Sequence, residues 1–210
     1  MENLIHIFLI TVSTLFPITN PLGNAGIFLS LTAEQDERTK RRQALRGALF
    51  MFLILEAFFL GGSYILNFFG LSLDGVRIAG GILIAKYGMD QLQPRRETTH
   101  TNEEHLEAKL KKDISFSPLA MPLLAGPGAI ASVIGISSMI HWSLGSFLAV
   151  SIGIVASCLV CWIILRESEL LMKFLGINGA NALTKIMGFL LLCIGVQLAV
   201  DGIQKILNLV

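Results

Sequence analysis

Two short stretches rich in proline, glycine and asparagine, 16–24 and 122–128, interrupt long apolar runs of this sequence. Proline lacks a backbone N–H and its ring clashes with the preceding turn, so neither stretch fits a continuous helix. A broken helix leaves free carbonyls where its first half ends, and free amides at the positive end of the dipole where its second half begins. The amides suit a carboxylate, and the carbonyls suit an ammonium group or a cation.

The side chains at both breaks are small or neutral, and this limits the ligand they could hold. Glycine and alanine let a ligand approach the backbone but offer little lining for a bulky side chain. Neither break carries a fixed charge, so we predict a site for a small zwitterion. The alternative is that the prolines only kink the helices and that hydroxyls and water satisfy the backbone. The candidate ligand-binding residues are Thr19, Asn20, Pro21, Gly23, Asn24, Gly126, Pro127, Gly128 and Ala129.

Glu56 falls near the middle of the apolar run 45–69. A charge at the membrane centre costs about 3 kcal/mol on insertion scales, so such a group faces the protein interior and often has a function. It is a candidate coupling residue that binds H+ or Na+. The alternative, equally open, is a protonated glutamate bonded to a neighbouring helix. Asp90, Gln197 and Asp201 lie nearer the ends of apolar runs, where interfacial positions are commoner, and Lys86 is close enough to an end to extend its amine to the surface.

The composition places these breaks in a lipid bilayer. The 210 residues are 53% hydrophobic and 15% charged, with a mean hydropathy of +0.69, whereas soluble domains carry about 25% charged residues. Backbone broken at membrane depth persists only inside protein or beside a watery cavity. A spanning helix needs about 20 apolar residues, and six segments qualify: 4–31, 45–69, 76–92, 115–140, 144–165 and 181–203.

Several classes of function are not expected from this sequence. The net charge of +1 gives no indication of a nucleic-acid partner. Cys158 and Cys161 have the CxxC spacing, but no second pair or nearby histidine completes a metal site. Without a catalytic constellation or a GxxxxGK[ST] motif, we expect neither an enzyme nor an ATP-driven pump, and no cofactor. Residues 1–3 lack the basic segment of a signal peptide, so we expect the first span to be retained.

The basic residues predict the orientation of the chain. Twelve of the 16 Lys and Arg residues fall in alternate connections, which are cytoplasmic by the positive-inside rule. Both termini are then expected outside, in the periplasm. The 12 residues are Arg38, Lys40, Arg41, Arg42 and Arg46, then Arg95, Arg96, Lys109, Lys111 and Lys112, and finally Arg166 and Lys173.

The two halves of the chain resemble each other. Besides the two breaks, Gly70 precedes the third span as Gly176 precedes the sixth, and 77–80 matches 185–188. Three spans in each half force the second half to insert upside down. We predict an all-α integral membrane protein with a 3+3 inverted-topology repeat: one transmembrane domain, 1–210, with repeat one at about 1–92, a cytoplasmic linker at about 93–114 and repeat two at about 115–210. Paired broken helices in inverted repeats are typical of secondary transporters, with the site at the repeat interface.

Three motifs, at 20–24, 77–81 and 122–130, resemble those of the MarC family of bacterial inner-membrane proteins, and the likeness covers essentially the whole chain. The resemblance implies a multi-pass inner-membrane protein. It also implies transport of small neutral amino acids such as glycine and alanine, with the motif positions as substrate contacts. It leaves open the particular substrate, the direction, the coupling ion and whether the protein is a homo-oligomer. Glu56 is not part of these motifs.

We therefore predict a secondary transporter of small neutral amino acids that works by alternating access. The alternative is a channel, or an exporter of another small polar solute. An Asn-Pro pair at a half-helix resembles aquaporin-type pores. Such pores need two further re-entrant segments, for which this chain has no apolar sequence left, and the second break has no Asn-Pro pair.

Overall fold

The computed structural model describes residues 4–93, 113–140 and 143–207, and within these ranges it contains helices and no β-strand. The predicted linker 93–114, with its five basic residues, lies almost wholly outside them. Several helices begin at a polar side chain that accepts a bond from a backbone amide of the first turn, as Asp36, Ser72 and Ser143 do. The helices are α1 Leu4–Thr19, α2 Pro21–Leu31, α3 Glu37–Phe68, α4 Leu73–Leu92, α5 Ser115–Leu124, α6 Pro127–Met139, α7 Leu144–Arg166 and α8 Ser168–Ile206.

Both predicted breaks are present. The chain bends by 40° between α1 and α2 and by 60° between α5 and α6. At the first break Asn20 has a left-handed backbone, with φ 39°, and its side chain accepts a bond from the amide of Gly23. Each second half starts at a proline, Pro21 or Pro127, a position where the missing N–H costs nothing. The breaks predicted in spans one and four are therefore confirmed.

The segment α5 is less regular than the sequence suggests. A broken span predicts a helical first half before the break, but Ser117 and Met121 have extended backbone. Each precedes a proline, whose ring disfavours helical geometry in the residue before it. The remaining hydrogen bonds span five residues: the amide of Ala125, for example, donates to the carbonyl of Ala120 at 2.8 Å. Irregular backbone thus extends from Ser117 to Gly126, well beyond the break itself.

Within the described residues, three helical stretches are long and apolar enough to cross a membrane: Glu37–Gly62, Leu144–Arg166 and Asn181–Ile206. Each bent pair can add one more span, which makes five. Helix α4 is not among them because it carries four charged side chains. The six-span count therefore stays a prediction. Those four residues are Asp74, Arg77, Lys86 and Asp90.

Helices α4 and α8 pack closest, through glycines. A Cβ on Gly81 would lie 2.5 Å from the carbonyl oxygen of Gly195, and one on Gly88 would lie 2.6 Å from that of Gly188. Residue 81 meets 195 and residue 88 meets 188, so the two helices are antiparallel. If Gly81 is matched with Gly188 and Gly88 with Gly195, exchanging the two helices converts the first contact into the second. A twofold axis between inverted halves would produce this pattern. The contacts align Gly81 with Gly188, one residue away from the alignment of 77–80 with 185–188.

Other helix contacts also occur in matching pairs, one pair member for each half of the chain. Helix α7 packs on α1, and α3 packs on α5 and α6. A Cβ on Gly153 of α7 would lie 2.8 Å from Thr11 of α1, and one on Gly47 of α3 would lie within 3 Å of Leu119 of α5. Gly70 and Gly176, which the sequence matched, both have positive φ, 65° and 64°. These are contacts of the kind that an inverted repeat makes.

Most ion pairs of the described residues lie at one end of the bundle, whereas the pair Arg77–Asp74 lies at the start of α4. Lys40 bonds Glu169 at 2.6 Å and Glu37 at 3.1 Å, and Arg46 bonds Asp113 at 2.9 Å. These pairs join the connections after spans one and five to the start of span four. The predicted connection 32–44 is shorter than expected, since α3 begins at Glu37 behind its Asp36 cap. The basic residues that follow therefore stand on a helix that extends beyond its apolar part.

Candidate functional site

The two breaks meet through Asn24. Its side-chain amide, 1% exposed, donates to the carbonyl oxygens of Thr19 at 2.8 Å and of Leu123 at 3.1 Å. These carbonyls lie at the ends of the first halves of both broken spans. Two acceptors that the sequence left for an ammonium group or a cation are thus bonded to the protein in this conformation. Asn24 holds the breaks together.

The remaining polar groups of the first break are also engaged. The side-chain amide nitrogen of Asn20, Nδ2, donates to Gln91 Oε1 at 3.0 Å, and this bond connects the break to α4. Thr19 Oγ1 bonds the carbonyl of Phe16 at 3.3 Å and lies 3.5 Å from Cys161 Sγ. A Cβ at Gly23 would clash with the side chain of Asn20, so a glycine is required there.

A cavity of about 270 Å³ lies against the second break. All four candidate residues of that break line it: Gly126, Pro127, Gly128 and Ala129. Its volume lies just below the range of ordinary small-molecule pockets, which starts at about 300 Å³. A Cβ on Gly128 would lie 2.9 Å from Ile84, so this glycine lets α4 approach the break.

The start of α6 supplies donors to this cavity. No side chain caps the helix at Gly126, and Pro127 has no N–H. The amides of Gly128 and Ala129 are among the first of the helix, which lack an intrahelical acceptor in an α-helix. They lie at the positive end of the helix dipole. The second break therefore has the uncapped helix start that the sequence predicts at both breaks; anion binding there stays a prediction.

The first break contributes little to this cavity. Only Ile18 reaches it from α1, whereas Thr19, Asn20, Pro21 and Asn24 are buried behind it. The third wall is α4, whose Lys86 and Asp90 were expected near the membrane surface. The missed signal was a lysine and an acid four residues apart in one span, which places both on one helix face. Those missed lining residues are Lys86, Tyr87 and Asp90.

Glu56 lies away from the cavity, between α3 and α7. It is half-buried, and its Oε1 accepts a bond from Ser151 Oγ at 2.6 Å. Its Oε2 is buried and has no hydrogen-bond partner among the described residues. The segments α5 and α6, which also pack on α3, carry no ionisable side chain. Glu56 is thus an isolated acid in an apolar helix pair.

This fold, with two broken helices joined at their breaks and a small cavity at one of them, is that of a polytopic helical membrane protein. The sequence matches the family described as MarC family integral membrane protein over residues 5–207, and the chain belongs to that family.

Similar proteins carry the name UPF0056 inner membrane protein MarC. The relative from Citrobacter koseri is 34% identical over 211 residues, that from Salmonella typhimurium 34% over 205, and that from Escherichia coli O139:H28 35% over 206. In each case the match covers 92% of both chains. No solved structure gives a significant match.

Proposed function

We propose that this protein is a secondary transporter of small neutral amino acids of the glycine and alanine type, and that it works by alternating access. One observation carries the proposal: the two broken helices meet through Asn24, and a small cavity lies at the uncapped start of the helix after the second break. Paired discontinuous helices supply such sites in inverted-repeat transporters. The proposal involves no catalytic step and no cofactor.

The dimensions of the cavity support a small substrate. About 270 Å³ leaves room for a compact amino acid, and Ile18, Ile84 and Leu191 take up part of the wall. Alternating access requires the other face of the site to open in turn. Under this proposal the first break, which is closed by its own hydrogen bonds in this conformation, moves to open the opposite side of the site. The bond from Asn24 to the carbonyl of Leu123 breaks during this movement.

Uptake into proteoliposomes tests the function. The purified full-length protein is reconstituted, and accumulation of labelled glycine and alanine is measured with and without proton and sodium gradients. Saturable uptake or counterflow, absent from protein-free vesicles, is expected. Fast, unsaturable flux would identify a channel instead, and no binding, exchange or uptake of any amino acid under any gradient would contradict the proposal.

We further propose that Glu56 is the coupling residue. Support comes from its isolation, with Oε1 on Ser151 and Oε2 without a partner among the described residues. A carboxyl in such a place can exchange a proton or accept a cation as the helices α3 and α7 move. Burial of an unpaired charge is costly, so its charge state is coupled to the conformation.

The protein is further proposed to lie in the bacterial inner membrane, with the charged end of the bundle in the cytoplasm and both termini in the periplasm. Support comes from the names of the relatives and from the ion pairs that bring the basic connections together.

A further inference from the structure

Two opposite charges stand on the cavity wall opposite the second break. Lys86 and Asp90 of α4 both line the cavity and both have exposed side chains. Four residues apart in a helix, they lie on one face, one turn from each other. Within 4–93, 113–140 and 143–207, neither takes part in any of the ion pairs of the structure.

The position of α4 directs these charges toward the break. Its glycine face, with Gly81 and Gly88, packs on the backbone of α8. Asn20 of the first break bonds Gln91, the residue after Asp90. Helix α4 is thus held on two sides, and the face that bears Lys86 and Asp90 borders the space in front of α6.

We propose that Asp90 binds the ammonium group of the substrate and that Lys86, together with the free amides at the start of α6, binds its carboxylate. This assignment rests on the proposed transport function and names the recognition groups of the same site. A lone cation would meet the repulsion of Lys86, and a lone anion that of Asp90. The pair, with no net charge, selects compounds that carry both charges a few ångströms apart.

The arrangement also accounts for neutrality of the substrate side chain. Apart from the neutral Tyr87, the rest of the wall is apolar or small, with Leu83, Ile84 and Leu191 beside the glycines of the break. No third charged residue lines the cavity among the described residues. An acidic or basic side chain would therefore lie there without a partner, which is unfavourable away from water.

Equilibrium binding of labelled amino acids to the detergent-purified full-length protein tests this assignment. The wild type is expected to bind glycine at least tenfold tighter than glycinamide, which lacks the carboxylate, or acetate, which lacks the ammonium group. Asp90→Asn and Lys86→Gln should each weaken glycine binding at least tenfold, since each removes a charge-assisted bond. Asp90→Glu should stay within a few-fold of the wild type.

Matched controls come from α8, which packs against α4 but does not contribute its charges to this cavity. Lys185→Gln and Asp201→Asn remove the same two types of charge and should bind glycine as the wild type does. Size-exclusion profiles and melting temperatures show whether each variant folds. The wild-type preference for glycine over glycinamide and acetate needs no variant, so it tests the assignment even if a variant fails to fold.

The outcomes separate this inference from the transport proposal. If the wild type binds and transports no amino acid, the proposed function fails. If it binds glycine but Asp90→Asn and Lys86→Gln bind equally well, or if glycinamide and acetate bind as tightly as glycine, only the recognition role of the two charges is overturned.

Discussion

At the scale of single residues, the site depends on which polar groups are satisfied and which are left open. Asn24 bonds carbonyls of both breaks, and Asn20 bonds Gln91. The amides of the second break and the carboxyl oxygen Oε2 of Glu56 are left without such a partner among the described residues. The bonded asparagines fix the position of the two breaks, and the unbonded amides and carboxyl oxygen are available to a ligand or an ion.

Glu56→Gln tests the coupling role. The amide keeps the size of the side chain and can still accept the bond from Ser151, but it cannot release or bind a proton. We expect accumulation driven by an ion gradient to fall at least tenfold, whereas counterflow exchange, which needs no net ion movement, stays within about threefold of the wild type. Labelled glycine in proteoliposomes, followed from pH 5 to pH 8, measures both.

The matched control is Glu167→Gln, an exposed acid in the connection between α7 and α8, which should leave accumulation unchanged. Ser151→Ala, which removes the hydroxyl but keeps the carboxyl, should retain gradient-driven accumulation. Accumulation by Glu56→Gln equal to that of the wild type, with the same pH profile, would rule out Glu56 as the coupling residue.

Some of this site could be predicted from the sequence and some could not. The breaks follow from local chemistry, because proline and glycine act on the backbone at their own positions. The four residues 126–129 were placed at a site for that reason. Which break faces the cavity depends on how α4 packs, and no local pattern specifies that. That Lys86 and Asp90 line the cavity could not be predicted for the same reason, since their distance from the end of an apolar run does not reveal what lies opposite.

At the scale of elements, glycine contacts set the position of α4. A Cβ on Gly195 would meet the backbone of Ala85 and, at 2.6 Å, the carbonyl of Gly81. Backbone atoms cannot rotate away as a side chain can, so the two helices must separate. Since α4 also carries the cavity wall, a shift of α4 changes the site as well as the stability.

Gly195→Ala is therefore expected to destabilise the protein by about 1–3 kcal/mol, the usual cost of overpacking, and to lower its melting temperature in detergent. Gly61→Ala is the matched control, because a Cβ there has no atom within 4 Å and alanine favours a helix over glycine by up to about 1 kcal/mol. A melting temperature for Gly195→Ala at or above that of Gly61→Ala would show that the close packing of α4 on α8 is not as described.

At the scale of the whole molecule, charge distinguishes the two ends of the bundle. An inverted repeat, as predicted from the sequence, would make the two ends alike in backbone structure, so charge is the feature that can set the orientation. The pairs Lys40–Glu169 and Arg46–Asp113 gather the basic connections at one of them. The hydrogen bonds from Ser115 to Asp113, followed by the interaction with Arg46, hold the pKa of Asp113 below its usual range, so this carboxylate stays ionised to a lower pH than a free aspartate does.

The orientation can be measured along one helix. Helix α3 has 32 residues, about 48 Å at 1.5 Å per residue, and so exceeds the hydrocarbon thickness of about 30 Å. Its two ends must then emerge on opposite sides. Arg42 and Asn67, both exposed, lie near these ends.

In a background without Cys158, Cys161 and Cys193, we expect Asn67→Cys to react with a membrane-impermeant maleimide in cells whose outer membrane alone is permeabilised. Arg42→Cys should react only after the inner membrane is opened. The reverse pattern would place the basic connections in the periplasm, and labelling of both cysteines from outside would mean that α3 does not span the inner membrane.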